Sequence, residues 1–137
     1  MTCHNTFVAE LLRIGAYQQR EGGRVTRQHG LSQQHFVVLK TVQELGPTPQ
    51  KKIVSELLYE KSNVSKAITN LRERGLVTVR KSEEDSRILL CSVTKSGLGV
   101  IEESMRAFDA WNREWVRHVP EDELKQVCSM LRGLGRK

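Results

Sequence analysis

The chain has 137 residues and a mass of 15.6 kDa, a size that fits one compact domain better than two. Hydrophobic residues make up 38% and charged residues 28%, which excludes a disordered or fibrous chain, while the net charge of +6 favours polyanionic partners. No run approaches the roughly 18 apolar residues of a membrane span, and residues 1–7 lack the apolar core of a secretory signal, so we expect a cytoplasmic protein without a membrane partner.

The N-terminal third of the chain predicts two helices. Apolar residues spaced three and four apart indicate a first helix within residues 5–28, which ends before Leu31 because glycines interrupt the polar segment that follows. Ser32 can cap a second helix, which ends at Gly46-Pro47. The apolar stripe of this second helix consists of His35, Val38, Leu39, Val42 and Leu45.

Two shorter helices follow. Thr48 and Pro49 are typical of an N-cap and a first helical residue, and they predict the start of a third helix. Ser62 can cap a fourth helix, which runs to Arg74 and stops at Gly75. The predicted buried side of the third helix consists of Ile53, Val54, Leu57 and Leu58.

A charged β-hairpin comes next. Residues 76–81 and 88–93 have the composition of strands, and the charged residues 82–87 between them predict the hairpin tip. The basic excess of the chain is densest in this region, because residues 61–90 carry seven Lys and Arg against four Asp and Glu.

The C-terminal residues predict two amphipathic helices. Thr94 opens the first, and Pro120 ends it. Acidic residues 121–123 suit the positive end of the last helix. The apolar residues are Leu98, Ile101, Met105, Phe108, Trp111, Trp115 and Val119 on the first and Leu124, Val127, Cys128, Leu131 and Leu134 on the second. This is more apolar surface than a small core can cover, which favours a homodimer over burial within one chain.

The fourth helix divides into two faces. At about 100° per residue, its apolar residues Val64, Ala67, Ile68 and Leu71 fall on one side. The other side carries Ser62, Lys66, Thr69 and Glu73, flanked by Asn63, Ser65 and Asn70. Hydroxyl, amide and ammonium groups suit base edges and phosphates in a DNA major groove. A helix that merely faces solvent is the alternative interpretation.

The hairpin tip offers a second candidate contact with DNA. Arg80, Lys81 and Arg87 surround an acidic run, and an arginine at such a tip can enter the narrow, electronegative minor groove. Asp85 can orient Arg87 through a charge-assisted hydrogen bond. The alternative is an exposed salt bridge without a function.

The sequence of this region resembles the MarR family of bacterial transcription regulators. The resemblance rests on S-N-V-S-K-A-I-T-N-L-R-E-R-G-L-V at 62–77 and on R-K-S-E-E-D-S-R-I-L-L-C-S-V-T-K-S-G at 80–97, which contains a D-x-R wing signature. It implies one MarR-type domain over residues 1–137, mainly α with a small β-hairpin wing. The implied parts are N- and C-terminal dimerisation helices at 5–28 and 95–137, a winged helix-turn-helix at 31–93, a recognition helix at 62–74 and a wing at 76–93.

The resemblance also implies a function. It implies a sequence-specific regulator that binds double-stranded DNA, a homodimeric repressor of a near-palindromic promoter site. The implied DNA-binding residues are Ser62, Asn63, Ser65, Lys66, Thr69, Asn70, Arg72, Arg80, Lys81, Asp85 and Arg87. A small anionic or phenolic effector would relieve repression from a crevice near Tyr17, His35 and Phe36.

Other function classes find less support in the residues. The candidate metal ligands and thiols are His4, His29, His35, His118, Cys3, Cys91 and Cys128. They form no ligand cluster, so we expect no metal. We place Cys3 ahead of the first helix and interpret Cys91 and Cys128 as buried packing residues. Without a Gly-rich phosphate loop, a G-x-S-x-G or an H-E-x-x-H motif, we expect neither an enzyme nor a cofactor. Two alternatives remain: a winged-helix protein-interaction module with only non-specific DNA affinity, and a redox- or metal-operated switch on the same frame.

Overall fold

The computed structural model describes residues 2–135, which form helices and one β-hairpin. The elements are α1 (Cys3–Thr26), a 3₁₀ turn (Arg27–His29), α2 (Gln33–Leu45), α3 (Gln50–Leu57), α4 (Lys61–Glu73), β1 (Val77–Lys81), β2 (Leu89–Val93), α5 (Lys95–Trp115) and α6 (Glu121–Gly135). Their order confirms the predicted fold class. One compact unit ends at Met105 and a second begins at Arg106, so α5 contributes to both. Among the helices of residues 2–135, none has the length and apolar character that a membrane span needs.

Helix α4 is held by its apolar side, which packs with α2 and α3 in the core of the first unit. Its predicted stripe is confirmed, because Val64, Ala67, Ile68 and Leu71 are all at most 5% exposed. Leu39 and Val42 of α2 and Ile53 of α3 are completely buried beside them. Burial of one such side chain contributes about 1.5–3 kcal/mol, so this packing determines which side of α4 faces outward.

The start of α4 differs from the prediction. Glu60 is the N-cap, and its carbonyl accepts hydrogen bonds from two backbone amides of the first turn, so Ser62 lies inside that turn and is not the cap. The C-terminal end agrees with the prediction. Gly75 is left-handed, and the Leu76 amide donates to the Leu71 carbonyl at 2.9 Å, which closes the helix.

Helix α3, in contrast, begins one residue later than predicted. Thr48 exchanges two backbone hydrogen bonds with Cys91 of β2, at 3.0 and 2.8 Å, so it extends the sheet and leaves the cap position to Pro49. At the other end, Leu58 is 77% exposed and not buried as predicted. The chain leaves the helix at this residue in a left-handed conformation (φ 56°), and its side chain no longer follows the buried stripe. Ile53 is buried as predicted, and Val54 and Leu57 are half-buried.

The wing is an antiparallel hairpin that is tied to the neighbouring helices. Val77 lies opposite Val93, and Lys81 lies opposite Leu89. Thr94 joins the base of the wing to α5: its hydroxyl donates to the Gly75 carbonyl at 2.7 Å and accepts from an amide in the first turn of α5 at 3.0 Å. The hydrogen bond from that turn confirms Thr94 as the residue that opens α5.

Helix α1 begins earlier than predicted. Thr2 caps it by accepting a hydrogen bond from the Asn5 amide at 3.4 Å, so Cys3 is the first helical residue and does not lie ahead of the helix. The helix then continues to Thr26 and, with the 3₁₀ turn, ends before Leu31 as predicted. Its N-terminal half carries the exposed apolar residues Phe7, Val8, Leu11 and Leu12.

The end of α5 and the side chains of α6 correct two further predictions. Helix α5 ends at Trp115, ahead of Pro120, because tighter turns such as the Val119 amide to the Val116 carbonyl (2.9 Å) replace helical hydrogen bonds before the proline. Cys128 on α6 is exposed and not buried as predicted, because the stripe on which it lies faces solvent. Val127, Met130 and Leu134 of α6 are also about half exposed.

Gly97 and Gly99 of α5 provide a matched pair for testing the contact between α5 and the wing. A Cβ on Gly97 would lie 2.3 Å from the Leu76 carbonyl oxygen and 2.7 Å from Cγ1 of Val93. A Cβ on Gly99 would meet no described atom within 4 Å outside the backbone of its own helix. We expect Gly97→Ala to lower the free energy of unfolding by about 1–3 kcal/mol through overpacking. Gly99→Ala should raise it by about 0.5–1 kcal/mol, because alanine favours the helix.

Urea unfolding followed by circular dichroism measures both changes. Equal effects of the two substitutions would contradict the close approach of Gly97 to the wing.

Candidate nucleic-acid interface

The side of α4 opposite its buried stripe is polar and accessible. Its exposed members are Ser62, Asn63, Ser65, Lys66 and Thr69, with Asn70 half-buried; together these six residues form what we call the polar face of α4. A groove of about 270 Å³ runs along it and is lined by Ser65, Lys66, Thr69, Asn70 and Glu73. The structure therefore brings the candidate major-groove residues together on one surface.

An open cavity of about 560 Å³ lies between α4 and the wing. Its lining includes Arg72 of α4, Val79 of β1 and Leu89 of β2. Arg72 is exposed at this cavity, and Arg80 and Lys81 are exposed on β1. The predicted cations are thus distributed over both the helix and the wing that border the cavity.

The wing loop holds Arg87 in one orientation. Asp85 accepts three hydrogen bonds from Arg87: from the backbone amide at 3.0 Å, from Nε at 3.1 Å and from Nη2 at 3.1 Å. Ser82 accepts hydrogen bonds from the Glu84 and Asp85 amides at 3.2 and 3.4 Å and so orders the same loop. This role of Ser82 was not predicted from the sequence. The Arg87 side chain is 88% exposed. The predicted pairing is confirmed, and it leaves the guanidinium accessible.

The pairing also changes the acid–base properties of both groups. Hydrogen bonds from Arg87 hold the pKa of Asp85 below its usual value, and the same interaction raises the pKa of Arg87. Both side chains are therefore charged at neutral pH, and the ion pair keeps its strength until acid protonates Asp85.

Two lysines near the start of α3 and α4 were missed as candidate site residues. Lys51 and Lys61, together with Gln50 and Val54, line a second cavity of about 450 Å³, and both lysines are exposed. Lys61 belongs to the basic excess of residues 61–90, which was the available signal. Lys51 lies outside that region, and only the folded arrangement of the two helices shows that it borders the same cavity.

The three candidate effector residues occupy different environments. Phe36 is buried, whereas Tyr17 and His35 are half-buried. The Arg20 guanidinium lies over the Tyr17 ring, 5.6 Å from its centre. None of the three residues lines the cavities described above.

The cysteines and histidines do not assemble a site. Within residues 2–135, no group of three or more His, Cys, Asp or Glu side chains is placed to hold a metal ion. Cys91 is buried as predicted, and burial raises the pKa of its thiol against the smaller effect of the Arg72 charge. A raised thiol pKa disfavours the reactive thiolate, which agrees with a packing role.

The fold defines the class of protein. A helical core that presents one exposed helix beside a β-hairpin is a winged helix-turn-helix, and solved structures share it. A MarR-family regulator from Listeria monocytogenes, complexed with a 26mer DNA, has a TM-score of 0.86 at 19% identity, over 93% of this chain and 85% of that one. CouR from Rhodococcus jostii RHA1, bound to p-coumaroyl-CoA, has a TM-score of 0.81 at 20% identity, over 90% of this chain and 87% of that one.

Sequence comparisons match part of the chain to a known family. Residues 31–89, which include α4 and most of the wing, match the model of the MarR family. The HTH-type transcriptional regulator MhqR of Bacillus subtilis (strain 168) is 23% identical over 107 residues, which cover 78% of this chain and 74% of that protein. The segment that holds α4 and the wing is therefore similar to that of MarR-family transcriptional regulators.

The lowered pKa of Asp85 tests the pairing in the wing. Because this pKa is lowered, the ion pair is intact above it and weakens as the pH falls through it. We expect Arg87→Ala to bring the pKa of the Asp85 carboxyl back up toward its usual value. NMR titration of the carboxyl carbon measures this shift. Arg80→Ala is the control, because it removes an exposed wing cation that does not bond Asp85 and should leave the pKa lowered. An unchanged Asp85 pKa in Arg87→Ala would contradict the described geometry.

Proposed function

We propose that the protein is a cytoplasmic, sequence-specific regulator that binds double-stranded DNA as a homodimer. It acts as a repressor by occupying a near-palindromic promoter site and blocking polymerase. The observation that carries this proposal is the exposed polar face of α4 beside a wing whose Arg87 is held by Asp85. Both features lie in the segment that matches the family model.

In this proposal α4 enters the major groove through its polar face. The hydroxyl and amide groups of Ser62, Asn63, Ser65, Thr69 and Asn70 meet base edges and phosphate oxygens, and the Lys66 ammonium donates to the same acceptors.

The cations around the cavity between α4 and the wing have a different role. Arg72, Arg80 and Lys81 contact phosphates, which positions the protein without reading sequence. Arg87, oriented by Asp85, enters the adjacent minor groove, where the negative potential of the DNA is concentrated.

Exposed apolar side chains support the homodimer. Phe7, Val8, Leu11 and Leu12 are between 37% and 70% exposed on α1, and Val127, Met130 and Leu134 are between 46% and 51% exposed on α6. Contiguous apolar residues at helical spacing mark interaction surfaces, and a second copy of the chain would bury them. In the dimer, residues 5–28 and 95–137 form the contacts between subunits. A two-fold axis then places the recognition helices about 34 Å apart, in successive major grooves of DNA.

We also propose a small-molecule effector that relieves repression. A small anionic or phenolic molecule would bind near Tyr17, His35 and Phe36, between the dimerisation helices and the winged helix-turn-helix. Its support is the family resemblance and the p-coumaroyl-CoA complex of CouR. A ligand that fits only one spacing of the recognition helices would shift the dimer toward that spacing and release the DNA.

Selection from random DNA duplexes tests the proposed function. We expect the protein to enrich one inverted repeat, whose half-sites are about 10 base pairs apart, because each subunit reads one major groove. Enrichment of a single half-site would contradict the dimer. Absence of any motif would favour the protein-interaction module, and a motif that depends on chelator or oxidant would favour a metal- or redox-operated switch.

The selected duplex also tests the wing. We expect Arg87→Ala to weaken binding by about 5- to 150-fold, the range for loss of a specific groove contact. Fluorescence anisotropy at matched salt measures the affinity. Lys40→Ala is a matched control, because it removes one positive charge from α2, where Lys40 pairs with Glu44 at 3.0 Å. If Arg87→Ala and Lys40→Ala bind equally well, Arg87 does not contact DNA.

A further inference from the structure

The amide of Asn70 is oriented by a neighbour on its own helix. Arg74, one turn further along, donates from Nε to Oδ1 of Asn70 at 3.1 Å. Because the donor is a guanidinium, this hydrogen bond is charge-assisted and stronger than one between neutral groups. Because Arg74 engages the amide oxygen, the NH₂ group is the donor that the side chain can still offer to a ligand in the groove.

The guanidinium of Arg74 also lies against the turn that precedes α2. Gly30 closes the 3₁₀ turn with a φ of 71°, and a Cβ at this position would lie 2.5 Å from Nη1 and 3.3 Å from Cζ of Arg74. The guanidinium thus lies directly over the glycine, in space that any other side chain would occupy. The arginine extends from the end of α4 to this turn, so one side chain approaches both Asn70 and the glycine.

Asn70 shares its edge of the groove with a second donor. Lys66 precedes Asn70 by four residues, a spacing that places the two side chains next to each other on a helix, and both line the 270 Å³ groove of the polar face. A lysine ammonium has three donors and no acceptor. With Oδ1 of Asn70 directed at Arg74, this edge of α4 presents hydrogen-bond donors to whatever enters the groove.

We infer that Arg74 is a positioning residue that makes the Lys66–Asn70 edge select guanine. In the major groove guanine presents two acceptors, N7 and O6, whereas adenine presents the acceptor N7 beside the donor N6. An asparagine that reads adenine uses its oxygen and its NH₂ group together. An asparagine whose oxygen is turned toward an arginine matches guanine, and it leaves the adenine N6 donor without a partner. The inference rests on the proposed function and adds to it the base class that is read.

The test compares Arg74→Lys with the wild type on the selected duplex and on versions with guanine replaced by adenine, one position at a time. Asn70→Ala identifies the base pair that Asn70 reads, as the position at which discrimination is lost. Lysine keeps the charge of Arg74 but replaces the planar guanidinium, which donates from Nε while its far end lies over Gly30, with a flexible ammonium. The amide of Asn70 is then held less firmly. At the identified position we expect the wild type to prefer guanine and Arg74→Lys to lower this preference by about tenfold.

Two controls separate positioning from other roles. Lys40→Arg, a conservative exchange on α2, should leave the preference unchanged. The salt dependence of binding should be the same for Arg74→Lys and the wild type, because the charge is retained. Asn70→Asp is the second variant: it keeps an acceptor for Arg74 but has no NH₂ group, so it should lose the preference for guanine even if Arg74→Lys folds poorly.

The outcomes are distinct. A guanine preference that falls in Arg74→Lys at the position identified by Asn70→Ala supports the inference. An unchanged preference overturns it. A uniform loss of affinity on all duplexes also overturns it and makes Arg74 a phosphate contact. A wild type that enriches a motif with adenine at this position also overturns it while leaving the proposed function intact. A wild type that enriches no motif overturns both.

Discussion

The burial of one side of α4 determines what the protein presents to a partner. Val64 and Leu71 are completely buried, one turn and three turns into the helix. A rotation of the helix by one residue position, about 100°, would expose these side chains and carry Lys66 toward the core. Each exposed aliphatic side chain would cost about 1.5–3 kcal/mol, and a buried ammonium without a partner would cost more. The polar face therefore has one possible orientation, and it is set by the buried apolar residues on the opposite side of the helix.

The same core fixes the wing relative to α4. Leu76, which follows the end of the helix directly, is bonded through its amide to Leu71, and through its carbonyl it accepts from the Thr94 amide at 3.0 Å. Thr48 adds a backbone bridge from the start of α3 to β2. Helix and wing thus share a network of backbone hydrogen bonds around a buried centre. Their separation is a property of the folded chain and does not depend on long, flexible side chains.

Local patterns in the sequence predicted the features that arise from local geometry. The stripe of α4 follows from helical periodicity, the end of α4 from Gly75, and the Asp85–Arg87 pairing from two charges that are separated by one residue. Contacts between distant segments were not predicted. Thr48 is a residue type that often caps helices, but it pairs with Cys91, which lies on a strand far along the chain. The contact of Arg74 with Gly30 likewise joins two distant segments.

The wrong burial predictions for Leu58 and Cys128 have a different origin. Leu58 continues an apolar stripe in the sequence, but it occupies a left-handed position that glycine usually takes, and this breaks the helical phase. Cys128 lies on a true amphipathic stripe, yet periodicity shows only that a helix has an apolar side and not whether its own chain covers it. The DNA-binding roles of the individual residues remain proposals, because they depend on a partner.

The short range of the Asp85–Arg87 pairing has a consequence for the kinetics of association. Both residues belong to one loop, so two side-chain hydrogen bonds already restrict the rotamers of the arginine before any partner arrives. Folding of the loop carries this entropic penalty, and complex formation is spared it. A preorganised side chain at the tip of a hairpin can engage a partner on first encounter, without a search through conformations.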